Sequence, residues 1–170
     1  MLRNKGFTLI ELLIVLVLLG IITGTALLSM SLSDVRDKQK FEAERLVKLL
    51  DLASQEASVR GTPMGLEVFR MSYRFTVMQN NKWHPETGDM LFRARALMPQ
   101  MQLALVKDQK SVSLVNQPAQ ILEPQPQIIV TPDGDMALFE IRLSVSNSDD
   151  IFRVSNTPSD GLMIHSESKL

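Results

Sequence analysis

From Phe7 to Leu28 the chain is apolar at every position except Thr8, Glu11, Thr23 and Thr25. As a helix this run is roughly 33 Å long at about 1.5 Å per residue, enough to cross a bilayer. Arg3 and Lys5 precede it, while Asp34, Arg36, Asp37 and Lys38 after it mix signs, so the cation bias places Met1 on the cytoplasmic side. A secretory signal carries its small-residue cleavage site after the apolar core, but here the short basic leader ends at Gly6, before the core begins. The leader is removable while the anchor stays.

One carboxylate, Glu11, lies inside this run. An ionised acid in hydrocarbon is expensive, so acids at such depth carry a partner and a function. The stretch KGFTLIE, Lys5 to Glu11, resembles the processing motif of type IV pilins and type II secretion pseudopilins. The resemblance implies cleavage after Gly6 by a membrane prepilin peptidase, N-methylation of Phe7, and pairing of Glu11 with the N-terminal amine of an adjacent subunit, which sets the register between helices. Gly20 and Gly24 form a G-x-x-x-G pair that can let helices approach closely. The chain has no proline between Met1 and Thr62, so any loosening of this helix starts at the glycines.

The chain's 170 residues leave room beyond the apolar run for one modest domain, and its formal net charge of −1 gives no basic field for gripping nucleic acid. The absence of cysteine excludes a disulfide framework and a thiolate zinc site. From Ser33 to Arg60 the pattern stays helical, with Phe41, Val47, Leu50, Ala53 and Ala57 as the apolar face and Glu42, Glu44, Arg45, Lys48 and Glu56 between them. Gly61 and Pro63 stop it. After Pro63 the period shortens to strand candidates: MGLEVFR, YRFTVMQ, MQLALV, SVSLV, QIIVT, MALFEIRLSVS, IFRVS and GLMIHS. Asn80-Asn81 and Asp133-Gly134 supply turns. Asn116 to Gln127, rich in proline and glutamine, reads as an extended loop between two halves of the sheet. The fold class is α+β and pilin-like: a long N-terminal helix, its inner half transmembrane, packed on an antiparallel β-sheet domain.

Little in this domain suggests catalysis. His84 and His165 are far apart and lie in no metal-ligand spacing, and the PDGD turn lacks the alternating ligands of a calcium loop. No G-x-S-x-G elbow and no phosphate-cradling glycine loop is present. Alternation in YRFTVMQ puts Tyr73, Phe75 and Val77 on one strand face, a core face, rather than in an aromatic platform with Trp83. The expectation is therefore a non-enzyme without cofactor, metal or catalytic residues.

The soluble part resembles the H-type minor pseudopilins of type II secretion, through EAERLVKLLDLASQEASVRGTPMGLEV, YRF with Trp83, TPDGDMALFEIRL and the glycine of DGLMI. The resemblance implies a leader over 1–6, an assembly helix in the membrane over 7–28, a periplasmic helical half over 29–61 and a β-rich periplasmic domain over 62–170. It implies a low-copy subunit of a periplasmic pseudopilus, joining tip complex to shaft and supporting export of folded proteins across the outer membrane. The partners implied are the major pseudopilin, other minor pseudopilins, the prepilin peptidase and the inner-membrane assembly platform, with no nucleic acid. Two further readings stay open: a minor pilin of a type IV pilus, which primes assembly or binds DNA in uptake, and an anchored periplasmic binding domain that never polymerises.

Overall fold

The structure of the chain is a computed structural model that describes residues 8–118, 123–146 and 148–168, with the side chains of 25–33 and 168 outside that description. Contacts divide the chain into two units, Met1–Asp37 and Lys38–Leu170, each of which stands by itself below. One helix, α1 (Leu9–Arg60), contributes to both. In the first unit its residues form a single-layer helix. Its large apolar side chains from Leu9 to Ile22 are 46–86% exposed.

In the second unit α1 supplies one wall of a hydrophobic core. Gln39, Ala43, Leu46, Leu50, Ala53 and Ala57 are buried at alternating four- and three-residue steps, which keep one helix face turned inward. This face is rotated from the one the sequence suggests. Phe41 is 57% exposed and lies under the Arg45 guanidinium, 4.5 Å from its ring centre, while Val47 is half-buried. The largest side chain drew the expected face toward itself, whereas small alanines let the sheets approach the helix. The helix ends as Gly61 predicts: Gly61 takes φ +60°, its N–H donates to Ser58 O (3.4 Å), and the Thr62 N–H donates to Ala57 O (3.1 Å). These two bonds close the last turn in the pattern typical of glycine-terminated helices.

Among the described residues ten strands follow: β1 (Met64–Val68), β2 (Ser72–Gln79), β3 (Lys82–Pro85), β4 (Arg95–Ala96), β5 (Met101–Lys107), β6 (Lys110–Val112), β7 (Ile128–Val130), β8 (Phe139–Val145), β9 (Asp150–Thr157) and β10 (Gly161–Ser168). They form two antiparallel sheets rather than one. The first has the order β3-β2-β1-β7 with β4 also on β2, and the second the order β10-β9-β8-β5-β6. Every strand stretch read from the sequence contains a strand, although MALFEIRLSVS forms its strand only from Phe139, with Met136 bridging back to Val130. β3 and β4 were not anticipated. Two-residue turns with left-handed backbones close β2–β3 at Asn80-Asn81 and β5–β6 at Asp108-Gln109, the latter hidden in the sequence because neither residue is glycine or asparagine.

The Asn116–Gln127 segment connects the second sheet to the first, and of its described residues, 116–118 and 123–127, the latter lie along β1. Pro126 seats on Gly65: a Cβ at Gly65 would come within 2.5 Å of Pro126 Cβ, 2.7 Å of its Cγ and 2.8 Å of Thr76 Oγ1. The glycine is needed for space here. Gly65→Ala is expected to destabilise the second unit by roughly 1–3 kcal/mol, the usual range for overpacking, and adding Pro126→Gly, which removes both clashing proline carbons, is expected to restore part of the loss. Thermal unfolding of the three detergent-solubilised chains checks this; equal melting temperatures for wild type and Gly65→Ala would contradict it.

Candidate assembly site at the helix N-terminus

The helix in the first unit opens on Thr8. Its hydroxyl accepts a hydrogen bond from the Glu11 N–H (3.3 Å), and Glu11 Oε2 accepts one from the Thr8 N–H (3.5 Å). The Thr8 carbonyl receives the first helical bonds from Glu11 N (3.1 Å) and Leu12 N (3.3 Å). This T-x-x-E arrangement is a capping box, in which two otherwise unpaired N–H groups are satisfied reciprocally. Glu11 thus sits in the first turn, where the positive end of the helix dipole favours an anion. The sequence alone contained this signal in Thr8-Leu9-Ile10-Glu11, but the membrane motif drew attention to the acid and away from its cap.

The predicted cleavage and methylation residues, Gly6 and Phe7, lie outside the described residues. Gly20 and Gly24 are described, and an added Cβ at either would meet nothing within 4 Å, so both present open backbone on the helix surface. Thr23 satisfies its hydroxyl on Leu19 O at 2.7 Å, which lets a polar residue remain in an apolar helix. Among the described residues no helix is long and apolar enough to cross a membrane. The described side chains of the apolar run stop at Gly24, and the expected span to Leu28 continues beyond them.

In the second unit the structure separates the other residues noted in the sequence. Tyr73 and Phe75 are buried, their rings edge to face at 6.4 Å, and Phe75 packs on Phe92 at 5.1 Å. Trp83 is half-buried in a cleft of about 570 Å³ shared with Arg74, Pro85 and Pro124. The two histidines are exposed on different sheets, His84 on β3 and His165 on β10. Among the described residues no three side chains of metal-binding type gather at one point. The PDGD stretch is a turn closed by Gly134 N–H on Thr131 O (2.9 Å) and Thr131 N–H on Asp135 O (2.9 Å).

Polar residues that the sequence reading passed over fix the second unit's geometry. Gln39 is fully buried and donates from Nε2 to Leu143 O (2.7 Å) and Asp150 O (2.9 Å), pinning α1 to the turn end of the β8–β9 hairpin. Glu67, also fully buried, is ion-paired with Arg74 and accepts the Gln125 N–H at 2.6 Å. The Gln127 side chain accepts the Val68 N–H (2.8 Å) and donates to Val68 O (3.4 Å), extending the strand pairing of β1 by one amide. Glu86 joins the helix end to the loop after β3, taking Arg60 Nη1 (2.8 Å) and the Gly88 N–H (2.7 Å). Glutamate and glutamine are surface residues by default, so no periodicity marks Gln39, Glu67 and Glu86 as buried or Gln127 as half-buried.

Comparison with known proteins agrees with both units. Residues 1–27 match the prokaryotic N-terminal methylation motif, and residues 42–159 match the family described as Type II transport protein GspH. Type II secretion system protein H of Pseudomonas aeruginosa is 27% identical over 147 residues, with 83% of each chain covered. The protein of the same name from Aeromonas hydrophila is 25% identical over 154 residues, covering 86% of this chain and 84% of that one. Among solved structures, the minor pseudopilin EpsH of the Vibrio cholerae type II secretion system superposes with a TM-score of 0.66 at 19% identity, covering 80% of this chain and 99% of that one. The solution structure of Escherichia coli GspH gives 0.58 at 18% identity, with coverage of 79% and 90%. The shared α+β fold is the observed one.

The single tyrosine offers a check on the core's electrostatics. Burial pushes the Tyr73 hydroxyl well above its ordinary pKa, and its hydrogen bond to Glu42 Oε1 (2.6 Å) pushes it further, against the lowering influence of Arg95 and Arg45. The folded state keeps a proton that the unfolded chain releases near pH 10, so stability is complete below about pH 10 and falls as pH rises above it. The phenolate absorbance is expected to appear together with loss of ellipticity. Its appearance near pH 10 in a folded chain would contradict this burial.

Proposed function

The chain belongs to the Type II transport protein GspH family, and from that premise we propose that it is a minor pseudopilin of the type II secretion pseudopilus, supporting export of folded proteins across the outer membrane. The observation that carries the reading is the conjunction, on one chain, of a methylation motif over residues 1–27 and the GspH match over 42–159. The finer assignment places the subunit between tip complex and shaft. Its partners are the major pseudopilin, other minor pseudopilins, the prepilin peptidase and the inner-membrane assembly platform.

The proposed organisation is a leader over 1–6, an assembly helix in the inner membrane over 7–28, a periplasmic helical half over 29–61 and a periplasmic β-rich domain over 62–170. Cleavage after Gly6 frees the Phe7 amine, which is methylated. Glu11 then pairs with the amine of an adjacent subunit and sets the helix stagger. The exposed apolar side chains from Leu9 to Ile22 support this reading, because a surface of that kind requires lipid or sister helices. The bare backbone at Gly20 and Gly24 allows close approach along the same helix.

Intact mass spectrometry of the protein from its native membrane tests the pathway. The expected chain begins at Phe7 and carries one added methyl group; a chain still beginning at Met1 would leave only an anchored domain. Glu11→Ala is expected to be cleaved and methylated normally and to be lost from the pseudopilus, with secretion failing. Thr8→Ala opens the same capping box, at a cost of about 0.5–2 kcal/mol of helix stability, but leaves the carboxylate. Secretion by Thr8→Ala without secretion by Glu11→Ala assigns the role to the charge; equal loss in both would assign it to the helix cap.

A further inference from the structure

Trp83, the chain's single tryptophan, stands outside the core. β3 sets it opposite Met78 on β2 and sets Pro85 opposite Thr76. Opposed residues share a face of the sheet, as do alternate residues of one strand. Trp83, Pro85 and Arg74 therefore lie on one side, while Tyr73, Phe75 and Val77 face the core on the other. A half-buried indole on the outer face of an edge strand contributes little to folding, and it lines a cleft of about 570 Å³. That volume falls within the range of about 300–1,000 Å³ typical of small-molecule sites.

The cleft is built before any ligand arrives. Its far wall is the segment 123–125, which is fastened in place: the Gln125 N–H donates to Glu67 (2.6 Å), Pro126 seats on Gly65, and the Gln127 side chain accepts the Val68 N–H. Pro124 and Pro126 also have fixed φ angles. A ligand therefore orders little on entry. The lining joins an aromatic face to polar ends. Asn81, Lys82, Glu123 and Gln125 are exposed, and their side chains enter no hydrogen bond or ion pair among the described residues. Arg74 has Nε on Glu67 and a buried Nη2 with no partner among the described residues. Charge in the lining balances, Lys82 against Glu123 and Arg74 against Glu67.

We propose that this cleft is a saccharide-binding site, taking a short, uncharged stretch of a sugar chain. A pyranose ring presents C–H bonds on its faces and hydroxyls around its rim. The indole takes the first, and the amides, carboxylate and ammonium take the hydroxyls, which both donate and accept. Other ligand classes fit worse. A wholly apolar one would strip water from the polar ends without replacing it. A phosphate would meet Glu123 with no surplus cation in the lining. An extended peptide would add to the β3 edge, which Lys82 and Pro85 blunt. In the periplasm, where the proposed function places this domain, sugar chains come from two sources: the glycan strands of the cell wall and the glycolipids of the outer membrane. The site's chemistry stands without the pseudopilin reading, because binding is read on the isolated chain.

Trp83 emission reports the cleft directly, since no other tryptophan contributes. The full chain, in a detergent without sugar headgroups, is titrated with N-acetylglucosamine oligomers for the cell-wall strand. Parallel titrations use dephosphorylated lipopolysaccharide core oligosaccharide for the glycolipid and a neutral proline-rich peptide. The expected result is a saturable change in emission with at least one saccharide, and the responding arm names the source. Lys82→Ala and Glu123→Ala keep the reporter and are expected to bind about tenfold more weakly, as loss of one charge-assisted hydrogen bond implies. Trp83→Ala is expected to keep its melting temperature and, by calorimetry, to lose binding. No saturable change with either saccharide, a response to the peptide alone, or unchanged affinity in all three variants overturns the proposal. None of those results touches the pseudopilin reading, which the N-terminal mass and the secretion assays test.

Discussion

An apolar helix surface that its own chain does not cover is the constraint on which the structure depends. From Leu9 to Ile22 every large hydrophobic side chain is about half exposed or more, whereas on α1 beyond Lys38 the inward positions are sealed to near-zero exposure by two sheets. One continuous helix thus obeys two different rules. In the second unit, apolar burial drives folding and the helix needs a narrow stripe of small and branched side chains. In the first, the helix is apolar all round and requires a surrounding medium or neighbours of its own kind. The chain completes its core in one unit and leaves its largest apolar surface for assembly in the other.

Within the second unit, buried polar groups give direction to a core that apolar contact alone would leave loosely specified. A buried carboxylate costs several kcal/mol unless charge and hydrogen bonds compensate it, and Glu67 has both: Arg74 on one oxygen and the Gln125 N–H on the other. The segment after residue 122 is held in one position because moving it would strand that oxygen. Gln127 repeats the logic with a neutral amide, supplying β1 with the bonds that a longer β7 would have made. Gly65 belongs to the same arrangement, since only a missing side chain lets Pro126 close over the sheet. Gln39 and Glu86 fasten two different stretches of the helix in the same manner.

Much of this fold was legible from residue patterns. The helix stop at Gly61, the Asn80-Asn81 turn and the alternation that buries Tyr73, Phe75 and Val77 are local rules, and the structure follows each. What was not legible is long-range. The division into two sheets depends on β7 returning to β1 and on β8 pairing with β5, pairings that no local pattern encodes. The helix face was misjudged by weighting Phe41 over Gln39 and Ala43, because hydrophobicity ranks a phenylalanine above the residues that the sheets can approach closely. At the candidate assembly site, the acid was legible as an anomaly in hydrocarbon, and its capping partner as T-x-x-E, but one signal obscured the other. The residues that support the β-domain, Glu67 above all, carried no signal because burial of a carboxylate becomes intelligible only once its partners are in place.

The capping box bears on how Glu11 can serve assembly without destabilising the chain beforehand. Before it meets a partner, the carboxylate is held by a long bond of 3.5 Å to the Thr8 N–H and by its place in the first helical turn. Both are modest interactions. An ammonium group brings a full opposite charge that the Thr8 N–H lacks, and in a medium of low polarity that direct attraction is much larger than in water. On the proposed reading, transfer of Glu11 from cap to neighbour is therefore downhill, and the cap acts as a parking position. The Thr8 hydroxyl still caps the Glu11 N–H at 3.3 Å after the acid has turned away, so the helix keeps half of its box while the carboxylate sets the register.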